Sequence, residues 1–366
     1  MIQITTIILF AFILSIICGF TSFPMIMNFC KEKGLYDIPN CRKIHRNPIP
    51  RLGGICFMPS MLLSFIIAVL VQRCQFEDKN IAANTWVVYR LFGLFLIYCL
   101  GIIDDLIGLN AKIKFTVQII AASTLPITGI YINNLYGLFG IHEIPFLIGC
   151  PLTIFIIVFL NNAINLIDGI DGLCASLSFL AFAGFLGVFL QEGLYTYCIL
   201  IAGLMGVLIP YLFFNMFGKI EKNHKIFMGD SGSLTLGFIL SFLFVKLSMQ
   251  PTHAIENQNY KIFFAMSLLM IPSFDAIRVT LHRVYHHKPV FNSDKNHIHH
   301  KLMKAGLNQH SALLIILAFA VFYIIANLAI LSIANANIML IADIIIYCCF
   351  HLCLNHFIKK KKKNNE

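Results

Sequence analysis

Two adjacent carboxylates, Asp104 and Asp105, close one apolar run in the stretch GIIDDLIGL (Gly101–Leu109). Farther along, NNAINLIDGIDGL (Asn161–Leu173) carries Asn162, Asn165, Asp168 and Asp171, each three positions from the next. On a helix that spacing lines one face with oxygen-bearing side chains. In FMGDSGS (Phe227–Ser233), Asp230 sits among small residues just ahead of another apolar run. Backbone N–H groups at such a helix start can hold an anion while the carboxylate takes a cation. NSDKNHIHHKL (Asn292–Leu302) then supplies His297, His299 and His300 among lysines, with Arg278 and Arg283 upstream. Carboxylates suit a divalent cation, and lysine, arginine and histidine suit the remaining charge of a polyphosphate, which together point to phosphoryl transfer. Glycine-rich P-loop and dinucleotide fingerprints are absent from the sequence.

Each motif also has a plainer reading. The Asp104–Asp105 pair can mark a water boundary, asparagines can join neighbouring helices, and Asp230 or a serine can cap a helix. Histidines two to four positions apart can chelate zinc, but no cysteine accompanies these, and the interspersed cations would repel a metal. YCCFHLCLNH, with Cys348, Cys349, His351, Cys353 and His356, has loosely metal-like spacing. It lies within an apolar run and lacks a CxxC partner elsewhere, so its cysteines read as small apolar fillers.

The elements that must position these motifs are membrane spans. Of 366 residues, 58% are hydrophobic and 12% charged, and the mean hydropathy is +0.81. Apolar runs long enough to cross about 30 Å of hydrocarbon recur along the chain. Repeated spans of that kind mean an all-α, polytopic helical bundle, since each backbone polar group needs an internal partner in lipid. Eleven spans are predicted, near residues 4–29, 53–72, 86–103, 113–128, 146–164, 172–190, 194–216, 234–250, 261–281, 311–333 and 337–357. The first is too long for a cleavable signal and reads as an anchor. Residues 1–358 form one transmembrane catalytic domain, and residues 359–366 a basic tail. Most of the 27 basic residues fall in alternate loops, from Lys31–Arg51 through Lys112, Lys114, Lys219–Lys225 and Arg283–Lys304 to Lys359–Lys363. The positive-inside rule places those loops and the C-terminus in the cytoplasm and the N-terminus outside. All four motifs then share one face. The net charge of +10 is this bias, with anionic membrane lipids as its partner rather than nucleic acid.

The ordered set DDLIGL, NAINLIDGIDGL, FMGDSGS and HIHHKL resembles the polyprenyl-phosphate N-acetylhexosamine-1-phosphate transferases, the group with WecA- and MraY-type enzymes. KGLYDIPNCRKIHRNPIPRLGGI near the N-terminus extends the likeness, which runs from about Gly34 to Gly306. PVFNSDKNHIHHKLMKAGL is similar to the WecA branch; the peptidoglycan branch has a shorter HHxxE-like motif, and Lys301 departs from the commoner apolar residue. The resemblance implies transfer of a sugar 1-phosphate from a UDP-N-acetylhexosamine to undecaprenyl phosphate, releasing UMP, as the first membrane step of a surface polysaccharide. GlcNAc is the default sugar, with a phospho-MurNAc-pentapeptide or a 6-deoxy sugar as alternatives. It further implies the bacterial inner membrane with the site facing the cytoplasm, Mg2+ (Mn2+ substituting) and a homodimer. Residue by residue, Asp230 matches the metal ligand, with Asn165 in or beside that shell. Phe227 matches an aromatic that stacks on uracil, and Lys114 a lysine on the nucleotide-sugar phosphates. Asp104 and Asp105 match positions by the lipid phosphate, and Asp168, Asp171 and Asn162 the nucleotide side. His297, His299 and His300, with Arg278 and Arg283, match the loop over the diphosphate and sugar.

Two other classes fit parts of the pattern. Intramembrane carboxylates also serve ion-coupled transporters, though no internal repeat is evident. A scaffold using basic loops to hold lipids leaves the paired aspartates without a purpose. UMP release dependent on polyprenyl phosphate separates an enzyme from both.

Overall fold

The computed structural model describes residues 2–37, 47–76, 85–219, 224–249, 259–289 and 295–365. Arg42, Lys43 and Arg46 of the N-terminal motif, Lys222, and residues 292–294 of the histidine motif lie outside these. The order begins with α1 (Ile2–Lys33), the short pair β1 (Tyr36–Asp37) and β2 (Ile49–Pro50), then α2 (Phe57–Phe76), α3 (Thr85–Ile107) and α4 (Ala111–Ile127). A hairpin, β3 (Asn134–Leu138) and β4 (Ile141–Glu143), leads to α5 (Phe146–Ile167), α6 (Leu173–Gln191), α7 (Tyr195–Leu212) and α8 (Gly229–Ser248). The chain ends with α9 (Asn259–Leu268), α10 (Met270–Tyr285), α11 (Ile298–Lys304), α12 (Gln309–Leu331) and α13 (Ala336–Asn365).

Every predicted apolar run coincides with a helix or a helix pair. Eight described helices are long and apolar enough to cross a membrane, and a bent pair makes nine. The chain is a multi-pass helical membrane protein. The predicted span 261–281 falls on that bent pair, in which α9 and α10 meet at 63°. A correction is needed at Asn161–Leu173, where the predicted helical stripe stops. Helix α5 ends at Ile167 with Asp168 as its C-cap, and Asp171 lies in the turn before α6. Residues of the predicted span 234–250 are helical from Gly229, so Asp230 is in the first turn of α8 rather than before it. The basic tail is no separate unit in secondary structure, because α13 continues through Lys359–Lys363.

Asparagine caps start two of the helices. The Asn110 side chain accepts from Lys112 N at 3.1 Å to open α4, and Asn308 accepts from Ser311 N at 2.8 Å to open α12. Helix α8 is the central rod, with every residue from Ser231 to Ser241 buried, and it packs on α3 and α5. By contrast α1, α12 and α13 expose Ile13, Ile17, Leu314, Ile325, Ile341 and Ile345. Helices apolar on their outer faces are stable only against lipid.

Close approach at one end of α8 rests on missing side chains. A Cβ on Gly54 would overlap the backbone of Gly232, and one on Gly101 would lie 2.5 Å from Ser231 Cα. The turn before α2 and the last turns of α3 therefore meet the start of α8 backbone to backbone. At the other end of the bundle, Asn337 accepts from Phe139 N at 2.8 Å and donates to Gly137 O at 3.3 Å, joining the hairpin to α13.

Candidate active site

The first turn of α8 has an unusual cap. Gly229 takes a positive φ of 72°, which points the next two amides at Asp105. Asp230 N and Ser231 N donate to Asp105 Oδ1 and Oδ2, both at 2.9 Å. One carboxylate thus closes the N-terminus of another helix, where the macrodipole favours negative charge. Asp105, only 6% exposed, is a joint between α3 and α8, and both its oxygens are committed to backbone.

Its neighbour Asp104 points another way. Asp104 Oδ1 accepts from Leu109 N at 2.6 Å, and Oδ2 accepts from Lys114 Nζ at 2.6 Å. The same ammonium donates to Asp230 Oδ2 at 2.8 Å. Lys114 therefore stands between two carboxylates brought from α3 and α8. Asn165, near the end of α5, donates through Nδ2 to Asp230 Oδ1 at 3.1 Å and to Ser233 Oγ at 2.8 Å. Helices α3, α4, α5 and α8 each contribute one member to this cluster.

A cavity of about 550 Å³ opens beside it, lined by Asp105, Asn165, Asp168, Asp171, Phe227, Asp230 and His300. The four motifs of the sequence meet there. Asp171 accepts from Lys225 Nζ at 2.6 Å, while the Asp168 backbone N–H donates to Asn165 O at 3.3 Å and its carboxylate makes no hydrogen bond or ion pair among the described residues. Burial, followed by the charges of Asp230, Asp171 and Asp105, pushes the Asp168 carboxyl up to about 7. Phe227 is held in an extended segment that donates Phe227 N to Pro50 O at 2.7 Å and accepts Gly53 N at 2.9 Å. Its ring lies at the cavity wall.

The histidine motif is organised by a residue the sequence reading passed over. Asp275, 1% exposed on α10, accepts from His297 Nδ1 through Oδ2 at 2.7 Å. Its Oδ1 accepts from Arg278 Nη2 at 2.7 Å and from Ile298 N at 2.9 Å. One carboxylate caps α11, orients a histidine and neutralises an arginine. His299 is buried, and a Cβ on Gly169 would overlap its ring, so α11 rests directly on the Asp168–Asp171 turn. Burial, then neighbouring cationic and histidine groups, pushes His299 down to about 3 and His300 down to about 4. Both imidazoles are neutral at physiological pH in the free protein.

Several predicted residues lie apart from the cavity wall. Asn162 donates to Gln118 Oε1 at 2.6 Å and to Val158 O at 2.7 Å, joining α5 to α4. Arg283 is buried near the end of α10, and it, Arg278, His297 and His299, like Asp104 and Lys114 of the adjoining cluster, are not among the residues lining the cavity. Others line it without having been singled out: Arg51, 4.0 Å from Asp37, Lys225, Tyr211 and Asn215. Asn215 sits in a π-helical turn, Phe213–Phe217, and bridges Gly172 N at 2.7 Å to Ile226 O at 2.9 Å. Such turns recur at functional sites. A lone asparagine in FFNMF, and a lone aspartate in PSFDAIR, were the available signals.

The donor set facing the cavity is oxygen-rich, and among the described residues no three His, Cys, Asp or Glu converge on one point. That arrangement fits magnesium, which takes one or two carboxylates and fills its octahedron with water and substrate oxygens. Asp230 supplies one such oxygen, and Asn165 another once its amide is turned. The cysteines of the last helix, Cys348, Cys349 and Cys353, are exposed along α13, and no metal-holding group is found there among the described residues. Replacing Cys349 or Cys353 by alanine should leave turnover within about twofold of the parent, since surface substitutions away from a site are small; initial rates check this.

Fold and cavity define a multi-pass helical membrane protein built around an acidic, cation-studded pocket. Residues 87–248 match the family model described as glycosyl transferase family 4. A probable undecaprenyl-phosphate N-acetylglucosaminyl 1-phosphate transferase of Bacillus subtilis (strain 168) is 30% identical over 89% of this chain and 85% of its own. Undecaprenyl-phosphate alpha-N-acetylglucosaminyl 1-phosphate transferases of Yersinia pestis and Escherichia coli (strain K12) are each 27% identical, over 87% and 91% of this chain and 82% and 89% of theirs. The chain belongs to glycosyl transferase family 4. The matched segment contains Asp104 through Asp230, whereas Asp275 and the histidines lie beyond it.

Proposed function

We propose that the protein transfers N-acetylglucosamine 1-phosphate from UDP-N-acetylglucosamine to undecaprenyl phosphate, releasing UMP, at the cytoplasmic face of a bacterial cytoplasmic membrane. The observation that carries this is Lys114 held between Asp104 and Asp230, of which Asp230 lines a cavity where all four motifs meet. Names of relatives over most of the chain support the acceptor and the sugar.

A phosphate monoester has a second pKa near about 6, so the acceptor arrives largely dianionic and needs little deprotonation. The harder task is bringing two anions together. Lys114, already flanked by carboxylates, exchanges part of that pairing for the donor's phosphate oxygens. Arg51 and Lys225 flank the cavity on the Asp37 and Asp171 side, placed for the nucleotide, with Phe227 offering a ring face to the base. His300 donates a neutral N–H toward the sugar-phosphate. Asp104, whose Oδ2 pairs with the Lys114 side chain, orients the acceptor or removes its residual proton once that ammonium turns to phosphate, whereas both Asp105 oxygens hold α8 backbone amides. Magnesium, when bound at Asp230 and Asn165, supplies neutralisation of the diphosphate charge. Direct attack by the lipid phosphate oxygen on the sugar-bearing phosphorus is the mechanism, and a covalent aspartyl-phosphate is its rival. Incubation of purified protein with labelled UDP-sugar alone should give no phospho-protein; a trapped adduct would favour the rival.

The experiment for the function is UMP release measured with a panel of UDP-sugars, with and without undecaprenyl phosphate. Release that needs the lipid and prefers the N-acetylglucosamine donor is the expected result, and lipid-independent or absent release would overturn the reading. A pH signature goes with it. Asp168 is protonated below about 7, so kcat/KM should fall as pH drops through that value, free-protein groups being what kcat/KM reports. Asp168→Asn should flatten this acid limb at a lower plateau, and His300→Gln should retain it, since His300 stays neutral until about 4.

A further inference from the structure

The last helix carries a polar stripe, within YCCFHLCLNH, that the four site motifs do not use. Tyr347, His351 and Asn355 follow one another at four-residue intervals on α13 and so share one face. Tyr347 and His351 are 5% and 6% exposed, deep burial for polar side chains on a helix whose other faces meet lipid. Tyr347 OH donates to Asp275 Oδ1 at 3.4 Å, and its ring packs 4.6 Å from the His351 ring and 5.2 Å from Phe274. One turn on, His351 has no hydrogen bond at either ring nitrogen among the described residues, so it acts as a space-filling ring against Tyr347. At the rim, Lys301 Nζ donates to Asn355 Oδ1 at 3.0 Å. The stripe therefore touches both anchors of α11: the carboxylate that caps it and a lysine on its outer side.

Helix α11 needs such support. It has seven residues, too few to persist on local propensity. Lys301 directly follows His300, and successive helical residues diverge by about 100°. Holding Lys301 on α13 thus fixes the rotation that turns His300 into the cavity.

We propose that Tyr347 and Asn355, with His351 packed between them, are positioning residues that set the rotation and order of α11 and hence the place of His300 in the reaction. The inference rests on the proposed transfer activity for its kinetic part only.

The test compares the full-length protein with the double variant Tyr347→Phe, Asn355→Leu, and with Asn355→Asp, which keeps an acceptor for Lys301. Amide hydrogen exchange of the α11 peptide and UMP release are read on the same preparations. The double variant should exchange about tenfold faster in α11, with α8 and α12 unchanged. Its kcat should fall about tenfold while the KM for undecaprenyl phosphate holds. Asn355→Asp should keep both readings near the parent's. Exchange in α11 within twofold of the parent, or an equal rise in α8, would overturn the proposal. If the parent protein releases no UMP and α11 exchange still responds, the transfer reading fails and the positioning of α11 stands.

Discussion

Asp230→Asn should lower turnover by at least about two orders of magnitude while leaving the protein folded in the membrane. The amide keeps the shape of the side chain, and the α8 cap belongs to Asp105, so the helix start survives. What disappears is the negative charge that Lys114 and Asn165 both address, together with the best oxygen for a divalent cation. Losing a group that holds charge at the reacting centre costs that much in other enzymes. The measurement is UMP release across a magnesium titration, with thermal unfolding in detergent as the control for folding. Turnover near the parent's at saturating magnesium would remove Asp230 from the metal's shell.

Asp275→Leu should be the most damaging change outside the motifs. It strips the counter-charge from partly buried Arg278 and the acceptor from His297, and it uncaps α11. Breaking a buried pair by removing one partner costs about 3–5 kcal/mol, so a lower unfolding midpoint should accompany a loss of turnover of about a hundredfold. A second variant separates the two effects. Asp275→Leu with Arg278→Leu replaces the pair by apolar groups and should recover much of the stability. It should not recover turnover, because His297 and the N-terminus of α11 still lack their acceptor. Recovery of both would reduce Asp275 to a structural ion partner.

The architecture was legible because lipid imposes it. Every apolar run became a helix, and a chain with no water to satisfy its backbone has few other choices. Which carboxylates gather was legible for the same reason, since charged groups at helix ends in a membrane are rare and have partners. Their separate duties were not. Asp104 and Asp105 are adjacent and identical in type, yet one pairs with an ammonium and the other caps a helix distant in sequence. That division depends on Gly229 turning two amides toward α3, a conformation that spacing alone does not announce. The stripe from Asn162 to Asp171 misled because period alone cannot say where a helix stops. Helix α5 stops at Ile167, Gly172 at a positive φ opens α6, and the two aspartates between them leave the helix for the cavity. Asp275 stayed hidden because a single aspartate in an apolar run resembles ordinary helix glue until its four donors are seen.

The glycine contacts at the start of α8 carry one more consequence. Transmembrane helices respond to thicker or thinner bilayers by changing tilt. Here the helices bearing Gly54, Gly101 and Gly232 are pinned backbone to backbone at the end that holds the carboxylates, so tilting must pivot there. The ends of these helices away from the carboxylates, where no glycine among the described residues brings two of the three backbone to backbone, take up the splay. Geometry among Asp104, Lys114 and Asp230 is thereby insulated from lipid composition, and turnover should vary little across acyl chain lengths.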